Sequence, residues 1–319
     1  MIIYTPPKPA DHLPIIDLTN AFSGGEKSAK AVAWDIHKAC RETGFFYVSG
    51  HGVSKELMDL QLAWSSHLFD LPMDEKMAMD FSQSPRRLGY EPALRQILDE
   101  GSAPDLKESY MYNRPLDPVG VDSAQNFWPA TLPGFREQMH AYHTEVGRLA
   151  LSLMGLVALS LDLPQDHFTN CFTGGNFSVR LLRYAPQAAT GPANQLGAGA
   201  HTDWGAITLL LQDQNGGLEV KTADDQWIKA TPLEGTFVVN LGDLVRRWTN
   251  DLYRSTLHRV LNNVSGRNRH SVATFFSPRP DVEVSCLPTC RSADEVGLYE
   301  TCTVGEHMKE MARKTYALA

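Results

Sequence analysis

The spacing of apolar positions changes character along the chain. Between about 26 and 43, Ala29, Val32, Ala33, Ile36 and Cys40 recur every three or four residues, which predicts a helix that Gly44 stops. Before it, Pro14 to Leu18 is a short apolar run. After it, Phe45-Phe46-Tyr47-Val48 is aromatic and apolar throughout, as a buried strand requires. Ser54 is placed to cap a helix running to about Leu71, with Pro72 as its stop. From about 77 to 130 the pattern is poorly periodic, and the turn-rich SPRRLGYEP and NRPLDP predict loops and short helices. Pro133 opens a long helix to about 163. Its segment Leu149 to Leu161 is the most apolar of the chain, but a bilayer span takes about 20 residues, so a buried helix is expected.

After about 175 the period shortens. Runs of β-branched, Leu and aromatic residues recur at Phe177–Tyr184, Ala206–Gln212, Gly217–Lys221, Gln226–Ile228, Thr236–Asn240, Ser255–Leu261 and Ser271–Phe276. Gly, Asn, Asp or Pro separates them, and short strands at this spacing predict a sandwich or barrel. A last helix opens at Thr303-Val304-Gly305-Glu306, a capping-box pattern. There is no internal repeat and no linker rich in Gly, Ser or Pro. The expectation is a mixed α and β fold in which helices pack on a β core as one unit.

Composition narrows the class. The 319 residues are 43% hydrophobic, with 24 Gly and 19 Pro, which excludes a disordered or collagen-like chain. A net charge of −8 provides no electrostatic footprint for nucleic acid or anionic lipid. The 5 Cys are scattered, as reduced thiols are, and the start MIIYTPPKPADHLP lacks the basic and apolar regions of a secretory signal. A cytoplasmic protein acting on a small molecule, with no nucleic-acid or membrane partner, is expected. Oligomeric state is not readable.

His201-Thr202-Asp203 is the most informative triplet. In a strand, residues i and i+2 share a face, so this imidazole and carboxylate would aim at one point. His258 lies in a further strand-like run. Two His and one carboxylate form the facial triad of non-haem Fe(II) oxygenases, which leaves adjacent metal positions open for a 2-oxo acid, a substrate or dioxygen. With 11 His in the chain, His-x-Asp also arises by chance, and zinc accepts the same ligands. Arg269 and Ser271 would share a strand face as well. A guanidinium fork beside a hydroxyl clamps a carboxylate, and the apolar run Val272 to Phe276 argues against a solvated Arg. Cys286 and Cys290 form one Cys pair without a second, too little for a zinc site. In Asn240-Leu241-Gly242-Asp243 the Gly is expected to serve a tight turn. For Asp105, Lys107 and Glu108, helix or surface ion pairing is expected.

These residues stand in a longer series: LPIIDL (13–18), GFFYVSGHGV (44–53), FDLPMDEK (69–76), DLKESY (105–110), NFWP (126–129), HTDWGAITLLLQD (201–213), GGLEV (216–220), VVNLGDLVRRWTNDLYRSTLHRV (238–260) and RHSVATFFSP (269–278). In order and spacing this series resembles the Fe(II)- and 2-oxoglutarate-dependent oxygenases of the isopenicillin N synthase-like type. The resemblance implies a double-stranded β-helix, or jelly-roll core, wrapped by helices. It implies a mainly helical part over 1–175, the catalytic core over 176–285 and a helical extension over 286–319. It implies Fe(II) on His201, Asp203 and His258, and 2-oxoglutarate held through its distal carboxylate by Arg269 and Ser271. Tyr184, in Arg-Tyr-Ala-Pro, stands where many members have a Tyr near the co-substrate in an Asn-Tyr-Tyr-Pro run.

The implied reaction is oxidation of a C–H bond of a small molecule by O2, as hydroxylation, desaturation or ring closure, with succinate and CO2 released. The alternative within the same resemblance is a four-electron oxidase that cyclises a thiol peptide without 2-oxoglutarate. Arg86-Arg87-Leu88-Gly89-Tyr90 is similar to a substrate-binding segment of isopenicillin N synthase, whereas the terminal KTYALA lacks the Gln that synthase has near its end. A catalytically silent binding module and a zinc hydrolase are the readings from other classes.

Overall fold

The computed structural model describes residues 4, 10–97, 103–113, 126–188, 195–292 and 296–316. The N-terminal part runs β1 (Ile15–Asp17), α1 (Thr19–Ser23), α2 (Gly25–Glu42), β2 (Phe45–Ser49), α3 (Lys55–Phe69), α4 (Met73–Met77), β3 (Gly89–Glu91), β4 (Lys107–Asn113), α5 (Phe135–Ser160) and α6 (Thr169–Phe172). Then follow β5 (Asn176–Tyr184), β6 (Ala198–His201), β7 (Ile207–Gln212), β8 (Leu218–Lys221), β9 (Trp227–Lys229) and β10 (Phe237–Leu241). The chain continues through α7 (Asp243–Trp248), β11 (His258–Val260), β12 (Arg269–Ser277), β13 (Glu283–Val284), β14 (Cys302–Thr303) and α8 (Val304–Tyr316).

An eight-stranded sheet of order β1-β2-β10-β7-β12-β5-β4-β3 faces a four-stranded sheet of order β6-β11-β8-β9, the two layers of a jelly roll. Alternation along each strand sorts side chains between two cores. Val179, Leu209, Val239 and Val272 point outward and pack with Ile36, Tyr142 and Leu153 of α2 and α5. Tyr47, Leu182, Val238 and Ala273 point inward and meet Val220 and Val260 of the small sheet. Each such side chain, fully buried, contributes about 1.5–3 kcal/mol. The helices therefore clad one face of the large sheet, and the opposite face is left to line the space between the sheets.

Local signals explain the boundaries. Gly44 ends α2 at φ +69, a left-handed position that suits glycine. Ser54 Oγ accepts from Leu57 N at 3.2 Å as the cap of α3. Thr303 and Glu306 exchange the capping-box bonds that start α8, Glu306 N to Thr303 Oγ1 at 3.2 Å and Thr303 N to Glu306 Oε2 at 2.7 Å.

The region 77–130 departs from the expectation of loops and short helices. It holds β3 and the seven-residue β4, which extend the large sheet beyond β5. In β4, Tyr110 and Tyr112 belong to the helix-side core, while Lys107 and Ser109 point between the sheets. Alternation is present, but Lys107 and Ser109 at inner positions and Glu108 at an outer one interrupt the apolar period. Among the described residues no helix is long and apolar enough to cross a membrane.

Candidate active site

Pairing of β6 with β11 sets His258 directly across from His201, with ring centroids 4.3 Å apart. Asp203 arrives differently from the expected shared strand face. β6 stops at His201, and Asp203 stands in the following loop. Backbone bonds from the end of β10 and the start of α7 fix that loop: Asp243 N to Asp203 O at 2.8 Å, Gly242 N to Ala206 O at 2.9 Å and Leu244 N to Gly205 O at 3.2 Å. Gly242 makes this approach possible. A Cβ there would lie 2.3 Å from Gly205 O and 2.6 Å from Asp203 O. Its φ of −98 is open to any residue, so close backbone contact, and not the expected tight turn, is what requires glycine.

One ligand atom from each of His201, Asp203 and His258 falls within 4.8 Å of the others, and Asp203 Oδ1 is 3.9 Å from His258 Nε2. The remaining polar atoms of the three are engaged elsewhere. His201 Nδ1 is 2.8 Å from Gly199 O, and His258 Nδ1 is 3.2 Å from Thr256 O, which assigns the proton to Nδ1 and leaves each Nε2 lone pair free. Asp203 Oδ2 accepts from Thr208 Oγ1 at 2.6 Å and Asn240 Nδ2 at 2.8 Å, leaving Oδ1. Burial, then the neighbouring His258, hold the His201 imidazole neutral. Burial alone would raise the Asp203 carboxyl, but His258, His201 and the Thr208 and Asn240 bonds outweigh it and keep it ionised. Two imidazoles and one carboxylate with oriented outer contacts fit a divalent metal of the facial-triad type.

Arg269 and Ser271 lie on the inward face of β12 and are 2% and 1% exposed. The guanidinium donates from Nε to Gly216 O, from Nη1 to Ser271 Oγ at 3.2 Å and from Nη2 to Gln212 Oε1 at 3.4 Å. Tyr184 is opposite Arg269 on β5, its ring 4.7 Å beneath the guanidinium carbon, and burial raises its phenol above the ordinary range. Among the described residues no carboxylate pairs with Arg269. A buried, unpaired guanidinium is costly unless an anion meets it. The structure thus turns His201, Asp203 and His258, together with the buried Arg269 and Ser271, toward one inter-sheet space.

Asp105, Lys107 and Glu108 contradict the expectation of helix or surface pairing. Lys107 and Glu108 are in β4 and all three are buried. Glu108, on the outer face, binds Arg183 of β5, Lys76 of α4 and the Tyr90 hydroxyl. Lys107, on the inner face, pairs with Asp105. Beside it, Arg180 of β5 bonds Ser109 Oγ at 2.9 Å and pairs with Glu91. Arg86 and Arg87 are exposed. The usable signal in the sequence was Tyr110 and Tyr112 at alternate positions, with Lys107 and Ser109 between and before them, which marks a strand with an aromatic outer face and a polar stretch on its inner face.

Fold and site together define a non-haem metal oxygenase of the jelly-roll class, and comparison with known proteins agrees. Residues 13–131 match the family described as non-haem dioxygenase in morphine synthesis N-terminal, and residues 176–278 match the 2OG-Fe(II) oxygenase superfamily. The chain is 38% identical over 322 residues to the 2-oxoglutarate-Fe(II) type oxidoreductase hxnY of Emericella nidulans, covering 96% of this chain and 91% of that one. It is 36% identical to the 2-oxoglutarate-dependent dioxygenase traH of Penicillium crustosum, covering 96% and 94%. Among solved structures it superposes on a full-length Neurospora crassa protein in complex with alpha-KG with a TM-score of 0.87, at 29% identity over 95% of this chain and 96% of that one. The chain belongs to the 2-oxoglutarate- and Fe(II)-dependent oxygenase family and is an oxidoreductase of that type.

Proposed function

We propose that His201, Asp203 and His258 hold Fe(II), and that Arg269 and Ser271, with Tyr184 beneath the guanidinium, receive the distal carboxylate of 2-oxoglutarate. The observation that carries this is a converged set of two imidazoles and a carboxylate beside a buried guanidinium that no carboxylate among the described residues meets. When bound, the iron with 2-oxoglutarate and O2 supplies the oxidation of a substrate C–H bond, the 2-oxo acid leaving as succinate and CO2. The chain's own residues do the rest. Gly199 and Thr256 carbonyls orient the two imidazoles, and Thr208 and Asn240 orient the carboxylate. Arg269, Ser271 and Gln212 fix one end of the co-substrate, and Leu182, Val238 and Ala273 wall the space against water.

The substrate is a small molecule, in keeping with the thymine bound by the Neurospora crassa relative, to which this chain is 29% identical. The proposed setting is the cytoplasm, with the parts over 1–175, 176–285 and 286–319 working as one unit and no nucleic-acid partner. The test is anaerobic reconstitution with Fe(II), then succinate release from 2-oxoglutarate on exposure to O2. Wild type is expected to retain iron and release succinate, whereas His201→Ala and Asp203→Ala do neither. Ordinary iron affinity in both variants would refute the ligand assignment.

A further inference from the structure

Lys107 is unexplained by metal or co-substrate binding. Its side chain is 4% exposed, on the inward face of β4, and cross-strand pairing sets it in one row with Tyr184 and, beyond that, Arg269. It is tied to the metal side as well. Its partner Asp105 accepts from Gly199 N at 2.9 Å, and the Gly199 carbonyl is the one that orients His201. An ammonium has three N–H donors. Among the described residues only one is used, on Asp105 Oδ2. A nine-tenths buried ammonium whose protein partner takes one donor has two left to meet the oxygen of a bound molecule. Arg180, with its charge matched by Glu91, continues the same polar wall.

We propose that Lys107 anchors the substrate, and that its ligand there is the oxygen of an uncharged carbonyl: an amide, imide, lactam or ketone. Charge decides the class. Asp105 already neutralises Lys107 and Glu91 neutralises Arg180, so a carboxylate would enter this wall as an uncompensated buried anion. A neutral carbonyl takes the spare donors without that cost. Arg269 differs because no carboxylate among the described residues matches it, which suits it to the co-substrate. The inference rests on the function proposed above and names the substrate class for that same site.

The experiment uses the full-length enzyme under anaerobic Fe(II), with and without 2-oxoglutarate. It titrates matched probes that differ only in amide against carboxylate, benzamide with benzoate and cyclohexanecarboxamide with cyclohexanecarboxylate, by saturation-transfer NMR. Wild type is expected to bind the amides about tenfold or more tightly than the carboxylates, a comparison that needs no variant. The double variant Asp105→Asn with Lys107→Met removes the donors and leaves no unpaired charge, and the amide oxygen introduced at position 105 still accepts from Gly199 N. It is expected to lose the amide preference and to keep wild-type 2-oxoglutarate affinity. Preferred carboxylates, absent amide binding in wild type, or amide binding unchanged in the double variant overturns the proposal. So does a parallel loss of 2-oxoglutarate affinity, which would assign Lys107 to the co-substrate. Failure of wild type to bind 2-oxoglutarate sinks the functional reading instead, and the probe titrations without it still report on Lys107.

Discussion

Replacing Arg269 by Gln separates a co-substrate clamp from a structural arginine. A hydrogen bond from a charged donor to a carboxylate is worth about 1.5–3 kcal/mol, so 2-oxoglutarate should bind about 10- to 150-fold more weakly. The apoprotein experiences two opposed changes. It loses the guanidinium's bonds to Gly216 O, Ser271 Oγ and Gln212 Oε1, each worth about 0.5–1.5 kcal/mol. It also sheds a buried charge that no carboxylate among the described residues offsets, which favours folding. The two changes largely offset, so stability without co-substrate should stay within about 2 kcal/mol of wild type. Ligand-linked stability should not. At a co-substrate concentration about 100 times the wild-type Kd, binding adds about 2.7 kcal/mol, and a roughly 100-fold weaker Kd cuts this to about 0.4 kcal/mol. Calorimetric titration and thermal unfolding of anaerobic metal-loaded protein, with and without 2-oxoglutarate, measure both quantities. An unchanged Kd, or a collapse of the unliganded protein with affinity intact, would show that Arg269 serves the fold alone.

Two further outcomes follow from buried charge. Glu108→Ala strips Lys76 of its carboxylate where the lysine side chain is 4% exposed, and urea unfolding should show a loss of about 3–5 kcal/mol. Metal affinity should be unchanged, since Glu108 points to the helix side; a stability change under about 1 kcal/mol contradicts this. His37, His51, His270 and His307 all have pKa values lowered first by burial. The unfolded chain then binds more protons below about pH 6.5, so their contribution to stability is full above that pH and falls as acid is added. The apoprotein Tm should decline steadily from about pH 7 to about pH 5, before ordinary carboxylates titrate, and a flat profile there would mean these imidazoles are charged in the fold.

The parts of the chain that bury an apolar face were legible from its pattern. α2, with Val32, Ile36 and Cys40 inward, matches its periodicity almost to the residue, and so do β5, β7 and β12. β4 was not legible because Lys107 and Ser109 face the inter-sheet space and Glu108 stands on the outer face, so polar residues interrupt the apolar alternation on both sides. The same cause hid the polar wall: Asp105, Lys107 and Glu108 look like a surface cluster in a string of letters, and only strand pairing turns them to opposite faces. His201 and His258 were readable from motif spacing, whereas the way Asp203 joins them was not. A loop pinned by β10 leaves no periodic trace beyond a glycine whose purpose is invisible without its neighbours.

That glycine has a wider consequence. Because main chain rests on main chain at Gly242, the carboxylate's location is dictated by peptide geometry, with no side chain as intermediary. Remodelling the pocket wall through β4 and β5 can therefore leave the place of Asp203 undisturbed. Position 242 itself tolerates no such experimentation, since even a methyl group would have to displace the loop that carries the acid.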